Sequence, residues 1–403
     1  MTSSEDIYDV IIAGAGPAGS SAAIHLAQAG LSVLLVEQKG FPRAKLCGEF
    51  ISPECQAHFQ KLGVTDEMMS SDPALITETV FYACQGRHVT IPSSWFGGPA
   101  ALGLSRAVMD ENLLRRAQQI GVSVLENTPV TGLIEEDKRV RGVRIKTEVG
   151  EQEFRAAITI DATGRARFLT RKVQRKPAEH KAKPKLIAFK VHLEETRVAP
   201  GACEIYIYPR GYGGLSTIEG DTSNLCFITA AEDVRRCHSN PETVLREIVM
   251  KNSRAAHALE GAKVLSEWLS VSLDDFGLQR PSPVSGLLSI GDSAAFIDPF
   301  TGSGMLMALQ SGELVSQIIV RREDKSGKRS SSLETLEAEF TKAYLRKFHT
   351  RLRICGLLRH AAFQPRLAEI TIAICDASHR LRSRLARATR SSDGENHGLA
   401  NPS

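Results

Sequence analysis

An α/β architecture is predicted for this chain by three observations. A buried-strand run near the N-terminus ends in a glycine-rich turn that opens a helix. A second buried strand ends in a glycine-acid turn at Gly291-Asp292, far downstream. Between the two, alternating strand-like stretches separated by glycines mark a second sheet. At 403 residues the sequence exceeds the roughly 100–200 residues of an ordinary domain, so two interleaved domains and a helical tail are expected.

The first elements follow in a fixed order: a strand from Ile7 to Ala13, then Gly14-x-Gly16-x-x-Gly19, a helix pattern to Ala29, and a strand from Val33 to Val36 ending at Glu37. Gly14 lets the chain turn sharply. Gly16 lets the backbone approach a pyrophosphate, and Gly19 lets the helix pack closely on the strand. Pro17 and Ala18 belong to the same cofactor loop, where the helix N-terminus offers free N–H groups and partial positive charge to phosphates. Glu37, with Gln38 beside it, is placed to accept from ribose hydroxyls, which favours a ribose without a 2′-phosphate, as in FAD or NAD.

The downstream turn separates those two. LLSIGD reads as a buried strand closing on Gly291-Asp292, with Asp292 placed to accept from a ribityl hydroxyl. In DPFTGSGM, which includes Pro299, a helix is expected from about Gly302. Its first N–H groups, through Ser303 and Gly304 to Met305, face the electron-rich edge of an isoalloxazine ring and stabilise negative charge there. NAD has no ribityl chain, so the expected cofactor is FAD.

With these motifs the sequence resembles the FAD-dependent oxidoreductase superfamily that holds aromatic hydroxylases, geranylgeranyl reductases and flavin-dependent halogenases, over roughly Tyr8 to Ile319. The resemblance implies an interrupted Rossmann-like FAD-binding domain, a substrate domain built on a mixed or antiparallel sheet, and a C-terminal helical segment. The ranges expected are 1–70, 101–165 and 280–322 for FAD binding, 71–100 and 166–279 for substrate, and 333–390 for the C-terminal helices. In GLSRAVMDENLLRRA the resemblance implies that Arg106 contacts the cofactor and Asp110 begins a docked helix. In TIDATGRARFLTR it sets Asp161 and Gly164 under the nucleotide, and after VSVLENT it sets Val130 at the adenine. FPRAKLCGEFISPE looks like geranylgeranyl reductases, in which a Cys-Gly lies close to the flavin. Cys47 is therefore the candidate catalytic residue, Cys47 and Gly48 are cofactor neighbours, and Arg43 is expected near the pyrophosphate.

The same resemblance implies an oxidoreductase acting on a hydrophobic, polyketide- or isoprenoid-like small molecule. A monooxygenase is preferred from the family's spread of activities. Alkene reduction of the geranylgeranyl type, halogenation and non-catalytic flavin carriage follow in that order. Electrons are expected from NAD(P)H or from a separate flavin reductase; Asp161-Ala162, where NADPH-binding hydroxylases carry Asp-Gly, weighs against direct NADPH binding. IYIYPRGYGG matches the reductases' aromatic motif only in part, and the WxWxIP of tryptophan halogenases is absent. His192, Tyr206, Tyr208 and Tyr212 are the mid-chain acid-base candidates, although strand aromatics more often pack the sheet; Lys190, in IAFKVHLEE, reads as a solvated lysine.

No run approaches the roughly 18 apolar residues of a membrane span, and the polar, acidic MTSSEDIYDV shows no secretory signal, so a cytoplasmic enzyme is expected. The 8 cysteines include no CxxC, which argues against a disulfide framework or a metal site. The formal charge of +4 is uneven: from Lys342 to Arg390, 12 Lys or Arg stand against Glu369 and Asp376 alone. There Leu345, Phe348, Leu352 and Cys355 recur at helical spacing, as do Leu367, Ile370, Ile374, Ala377, Leu381 and Leu385, which predicts two amphipathic helices after a mobile linker, RREDKSGKRSSS. Packing of these helices on their own domain is preferred, with contact to an anionic membrane surface as the alternative. Aromatic residues at 6% without a recognised motif argue against nucleic acid, and the final RSSDGENHGLANPS reads as disordered.

Overall fold

The computed structural model describes residues 7–148, 150–174, 185–274, 276–322 and 332–389. Most of RREDKSGKRSSS and all of RSSDGENHGLANPS lie outside the described residues, as does the start of the N-terminal segment.

Val10, Ile11 and Ile12, like Val33 to Val36, are buried throughout. A strand apolar on both sides needs cover on both faces, which is the condition of a parallel sheet inside an α/β domain. Accordingly, Ile7–Ala13 pairs in parallel with Val33–Val36 on one side and with Gly150–Asp161 on the other. Ser123–Leu125 extends the sheet beyond Val33–Val36, and Leu287–Ser289 joins Gly150–Asp161 in parallel. Two antiparallel strands, Arg139–Thr147 and Val130–Glu136, complete the seven. The two strands that precede the glycine turns thus flank one central strand.

The helices after those turns cross almost without side chains between them. Pro17–Gln28 meets Gly304–Arg322 where a Cβ on Gly312 would lie 2.6 Å from the Ala18 carbonyl oxygen and 2.8 Å from the Ala22 nitrogen. Two hydroxyls tie the crossing: Ser21 Oγ donates to the Leu309 carbonyl at 3.1 Å and Ser316 Oγ to that of Ala22 at 3.2 Å. Gly19 has the same character, since a Cβ there would lie 1.9 Å from the Gly14 carbonyl oxygen.

The second sheet has eight strands and is largely antiparallel. Leu186–Glu194, Ser223–Ala230, Gly211–Thr217 and Ala202–Tyr208 run in that spatial order; Glu78–Tyr82 then adds in parallel, and His88–Pro92 follows antiparallel. Side chains alternate across a strand. Phe189, Tyr206, Tyr208, Leu215, Leu225 and Phe227 therefore form one core with the short helices over 231–258. The intervening residues face the other way, toward the first domain.

The tail forms three helices, not two: Leu333–Ala362, Pro365–Ala377 and His379–Ala388. Pro365 and Ser378 divide them, the proline at a helix start and Ser378 Oγ accepting from the Leu381 N–H at 3.3 Å. The long helix packs Leu336, Phe340, Tyr344, Phe348 and Cys355 into the core of the first domain. Leu345 falls off this seam, at 36% exposed.

Replacing Gly312 with valine is expected to lower stability by at least roughly 1–3 kcal/mol, because the new methyls meet backbone that cannot yield. Urea unfolding reads the loss; an unchanged midpoint contradicts the close crossing.

Candidate active site

The two glycine turns open into one cavity of about 690 Å³, bounded by both sheets and the C-terminal helices. Of the residues named from sequence, Gly14, Gly16, Pro17, Ala18, Glu37, Gln38, Arg43, Cys47, Gly48, Arg106, Val130 and Gly164 line it from the first domain. Gly291, Asp292, Pro299, Gly302, Gly304 and Met305 line it from the second turn.

Three do not. Gly19 serves the helix–strand packing described above. Asp161 is fully buried and accepts from the Thr163 N–H at 3.0 Å, the Thr170 N–H at 2.9 Å and the Ser293 hydroxyl at 3.1 Å. It ties the floor of the site together, while its neighbours Thr163 and Gly164 line the cavity. Ser303 points its hydroxyl at the Thr389 carbonyl, 3.1 Å away, so at most its backbone serves the cavity. The helix expected to begin at Asp110 begins at Arg106, with Ser105 Oγ capping Val108 N–H at 3.3 Å; Asp110 lies one turn further in.

Around Gly16 the arrangement suits a diphosphate. A Cβ placed there would have, among the described residues, only the Arg43 and Arg106 guanidinium nitrogens within 4 Å, each 3.9 Å away. Both arginines thus converge on bare backbone at a helix N-terminus. Arg106 forks onto Asp110 through two bonds of 2.7 Å; burial works against its charge, but Asp110 raises its pKa overall. Arg43 stands 3.5 Å from both Asp110 and Glu37, and its Nε is buried with no hydrogen-bond partner among the described residues. Glu37 accepts from the Ala15 N–H at 3.0 Å and the Lys39 N–H at 3.2 Å, which fixes its carboxylate at the lip where a ribose would lie.

The opposite end suits a flavin ring. Gly302 adopts a φ of 63°, in the left-handed region that glycine takes without strain, and closes the turn before the helix that begins at Gly304. Lys45 and Arg165 also line this part of the cavity; burial lowers the pKa of each, and neighbouring cations lower that of Lys45 further. Burial raises the pKa of Asp292, against the pull of Arg165 and Lys45. Cations and a helix N-terminus at this end would favour negative charge on a bound flavin. The residues present fit FAD.

Behind Cys47 lies a cluster of which sequence reasoning named His192 but missed the centre, Glu49. Glu49 is 1% exposed and holds a φ of 52°, rare for a residue with a side chain. It pairs with Lys190, accepts from His192 Nε2 at 2.7 Å, and takes the Arg106 N–H at 2.8 Å. Lys190, expected in solvent, is 3% exposed. It shares a strand face with Ala188 and His192, and that face looks onto the first domain. Cys47 sits at the seam: its Sγ accepts from the Glu49 N–H at 3.4 Å, and Asn224 Nδ2 donates to its carbonyl at 3.2 Å.

Tyr206 and Tyr208 lie on the far face of the second sheet and cannot act in the cavity. Tyr206 donates to Glu204 at 2.7 Å and Tyr208 to the Ile228 carbonyl at 3.0 Å; burial raises both pKa values well above the ordinary one. Tyr212 does line the cavity, with its hydroxyl on Asp298 at 2.7 Å.

A glycine-lined, doubly cationic cradle leading to a helix N-terminus under an apolar roof defines an FAD-dependent oxidoreductase. The chain belongs to the family described as FAD binding domain, whose model matches residues 7–339. It is 29% identical over 329 residues to a digeranylgeranylglycerophospholipid reductase of Methanosarcina mazei, covering 78% of this chain and 75% of that one. The corresponding protein of Methanosarcina acetivorans is 28% identical over 356 residues, or 84% and 81% of the two chains. Its fold is shared with the flavin-dependent brominase Bmp2, at TM-score 0.77, 21% identity and coverage of 95% and 93%. A geranylgeranyl bacteriochlorophyll reductase-like protein of Thermoplasma acidophilum gives TM-score 0.72, 22% identity and coverage of 89% and 88%.

Two outcomes follow for variants. Gly16→Val is expected to fold normally and lose FAD, whereas Gly19→Val loses the fold itself; circular dichroism and the flavin absorbance of purified protein separate the cases. For Glu49, burial raises the pKa but the bonds from His192 and Lys190 outweigh it, holding the group below the ordinary carboxylate value. Its stabilisation is then complete above that ordinary value and is lost as pH falls through the depressed one. Glu49→Gln should flatten this acid limb of the unfolding midpoint, and Lys190→Met should destabilise by about 3 kcal/mol at neutral pH by leaving a buried carboxylate short of its partner.

Proposed function

We propose that the protein is a flavin-dependent alkene reductase that saturates a double bond of a long, apolar, isoprenoid-like substrate. The observation that carries this reading is the roof of the cavity. Phe81, Ile91, Ile205, Ile207 and Ile228 line the cavity from the second sheet, while Tyr206 and Tyr208 are turned away and the hydroxyl of Tyr212, which does line it, is engaged with Asp298. Such a wall recognises shape and apolar area rather than polar groups.

The sequence preference for oxygenation rested on the range of activities in the superfamily and on no particular residue. Relatives that align over three quarters of the chain bear the name reductase, which supports saturation. Saturation of an isolated double bond adds two electrons and one proton at one carbon and a second proton at the other. Bound FAD supplies the redox equivalents. Cys47, between cradle and roof, holds the remaining proton at Sγ and recovers it from solvent after turnover. Arg43 and Arg106 anchor the diphosphate, and the apolar roof excludes water from the reacting carbons. Electrons enter from a separate reductase, consistent with Asp161-Ala162 at the position where NADPH-binding relatives carry Asp-Gly.

Dithionite-reduced holoprotein incubated anaerobically with geranylgeraniol is expected to yield product heavier by two hydrogens per saturated bond. Cys47→Ser should slow this by about 10²-fold, the scale of a lost general acid, with FAD content unchanged. No saturation without oxygen, together with isotope-labelled oxygen in the product under air, would overturn the reading in favour of oxygenation.

A further inference from the structure

The stripe Leu367, Ile370, Ile374, Ala377, expected to pack inward, faces out. Leu367 is 43% exposed, Ile370 55% and Ile374 48%, while Leu381 on the next helix is 39% exposed and Leu357 on the long helix 70%. The inner face of Pro365–Ala377 is a different set, Ala368, Ile372 and Cys375, which packs against Val89 and Ile207. This helix is therefore apolar on two sides, and only one is covered among the described residues.

The charges around the bare stripe have one sign. Arg353, Arg366, Arg380, Arg384 and Arg387 are exposed here, against Asp376, with Glu369 half-buried. From Lys342 to Arg390 the segment carries 12 Lys or Arg and two acids, on a chain whose formal total is only +4. Trp95 stands beside these helices, edge-on to the His379 ring and under the Arg382 guanidinium. Exposed leucines and isoleucines ringed by arginines, with a tryptophan nearby, match the chemistry of an anionic bilayer surface: apolar side chains enter the acyl boundary while the cations meet the headgroups. A protein partner would need complementary acids and a shaped groove; the stripe is a convex helix face.

We propose that Pro365–Ala377 and His379–Ala388 dock the protein on an anionic lipid surface. The inner sides of the same helices, through Ile372, Cys375 and Leu385, line the catalytic cavity. Docking thus sets the cavity one helix thickness from the membrane, a short route for an apolar molecule that dissolves in lipid rather than water. The inference stands on exposure and charge and does not depend on which reaction follows.

The test is flotation of FAD-loaded full-length protein with vesicles of equimolar phosphatidylcholine and phosphatidylglycerol, against vesicles of phosphatidylcholine alone. Binding to the anionic vesicles is expected, weakened by salt. The double variants Ile370→Ser/Ile374→Ser and Arg380→Gln/Arg384→Gln should each bind roughly tenfold less tightly or weaker, the latter because each basic residue near such a surface contributes about 1 kcal/mol. All four residues are exposed, so unchanged thermal unfolding and flavin content separate lost docking from lost folding. Protein that stays soluble with anionic vesicles at low salt overturns the proposal, as does binding that neither double variant weakens. A dimer in solution that Ile370→Ser/Ile374→Ser abolishes, without lipid binding, would assign the stripe to a second copy instead.

Discussion

The constraint on which the site depends is the close, glycine-mediated contact between the two helices that leave the glycine turns. FAD is longer than either turn can hold, so the loop that receives its diphosphate and the turn that receives its ring must keep a fixed separation. Gly312 against Ala18 and Ala22 allows backbone to lie against backbone, and Gly291, where a Cβ would lie 2.8 Å from that of Ala18, leaves room for the first helix. A flexible side chain between the helices would give them several separations. Contact between rigid main chains gives one, and the Ser21 and Ser316 hydroxyls fix the register along it.

Electrostatics then divides the cavity into two regions. At the diphosphate end the cations are matched by carboxylates: Asp110 holds Arg106, and Asp110 and Glu37 flank Arg43. The positive field is thus tolerable before FAD arrives, and the planar forks are already oriented, so less side-chain entropy is lost on binding. Glu49 performs the same service at the seam, where Lys190, His192 and the Arg106 N–H meet a single buried carboxylate. Because these partners come from different segments of the chain, Glu49 also joins the roof to the cradle.

The cradle was legible in the sequence because its demands are local. A strand, a turn with glycines at set positions and a helix must follow one another without interruption, and this order survives in the text of the chain. The roof was not. Tyr206 and Ile205 are neighbours in sequence, both apolar enough for a strand, and only the sheet's placement decides which faces flavin. Lys190 misled for a related reason: its spacing fits a solvent face, and the face proved to be covered by a segment 141 residues away. The outward stripe of the tail shows the limit of periodicity from the other side, since a helix with two apolar faces has two equally regular patterns and only contact with Val89 and Ile207 chooses between them.

This division between local cradle and non-local roof also bears on how one fold serves several chemistries. Residues that hold the cofactor are fixed by backbone approach and leave little freedom of type. Residues of the roof occupy alternate positions on strands whose hydrogen bonds do not depend on side-chain identity, so Ile205, Ile207 and Ile228 can change without disturbing Tyr206, Tyr208 and Phe227 on the other face. Proteins named as a brominase and as a reductase-like protein share this fold at about one residue in five. What differs between such chains must therefore be sought on the cavity side of the second sheet and at the seam around Cys47, where a substitution alters what reaches the flavin while the crossing that positions the flavin stays intact.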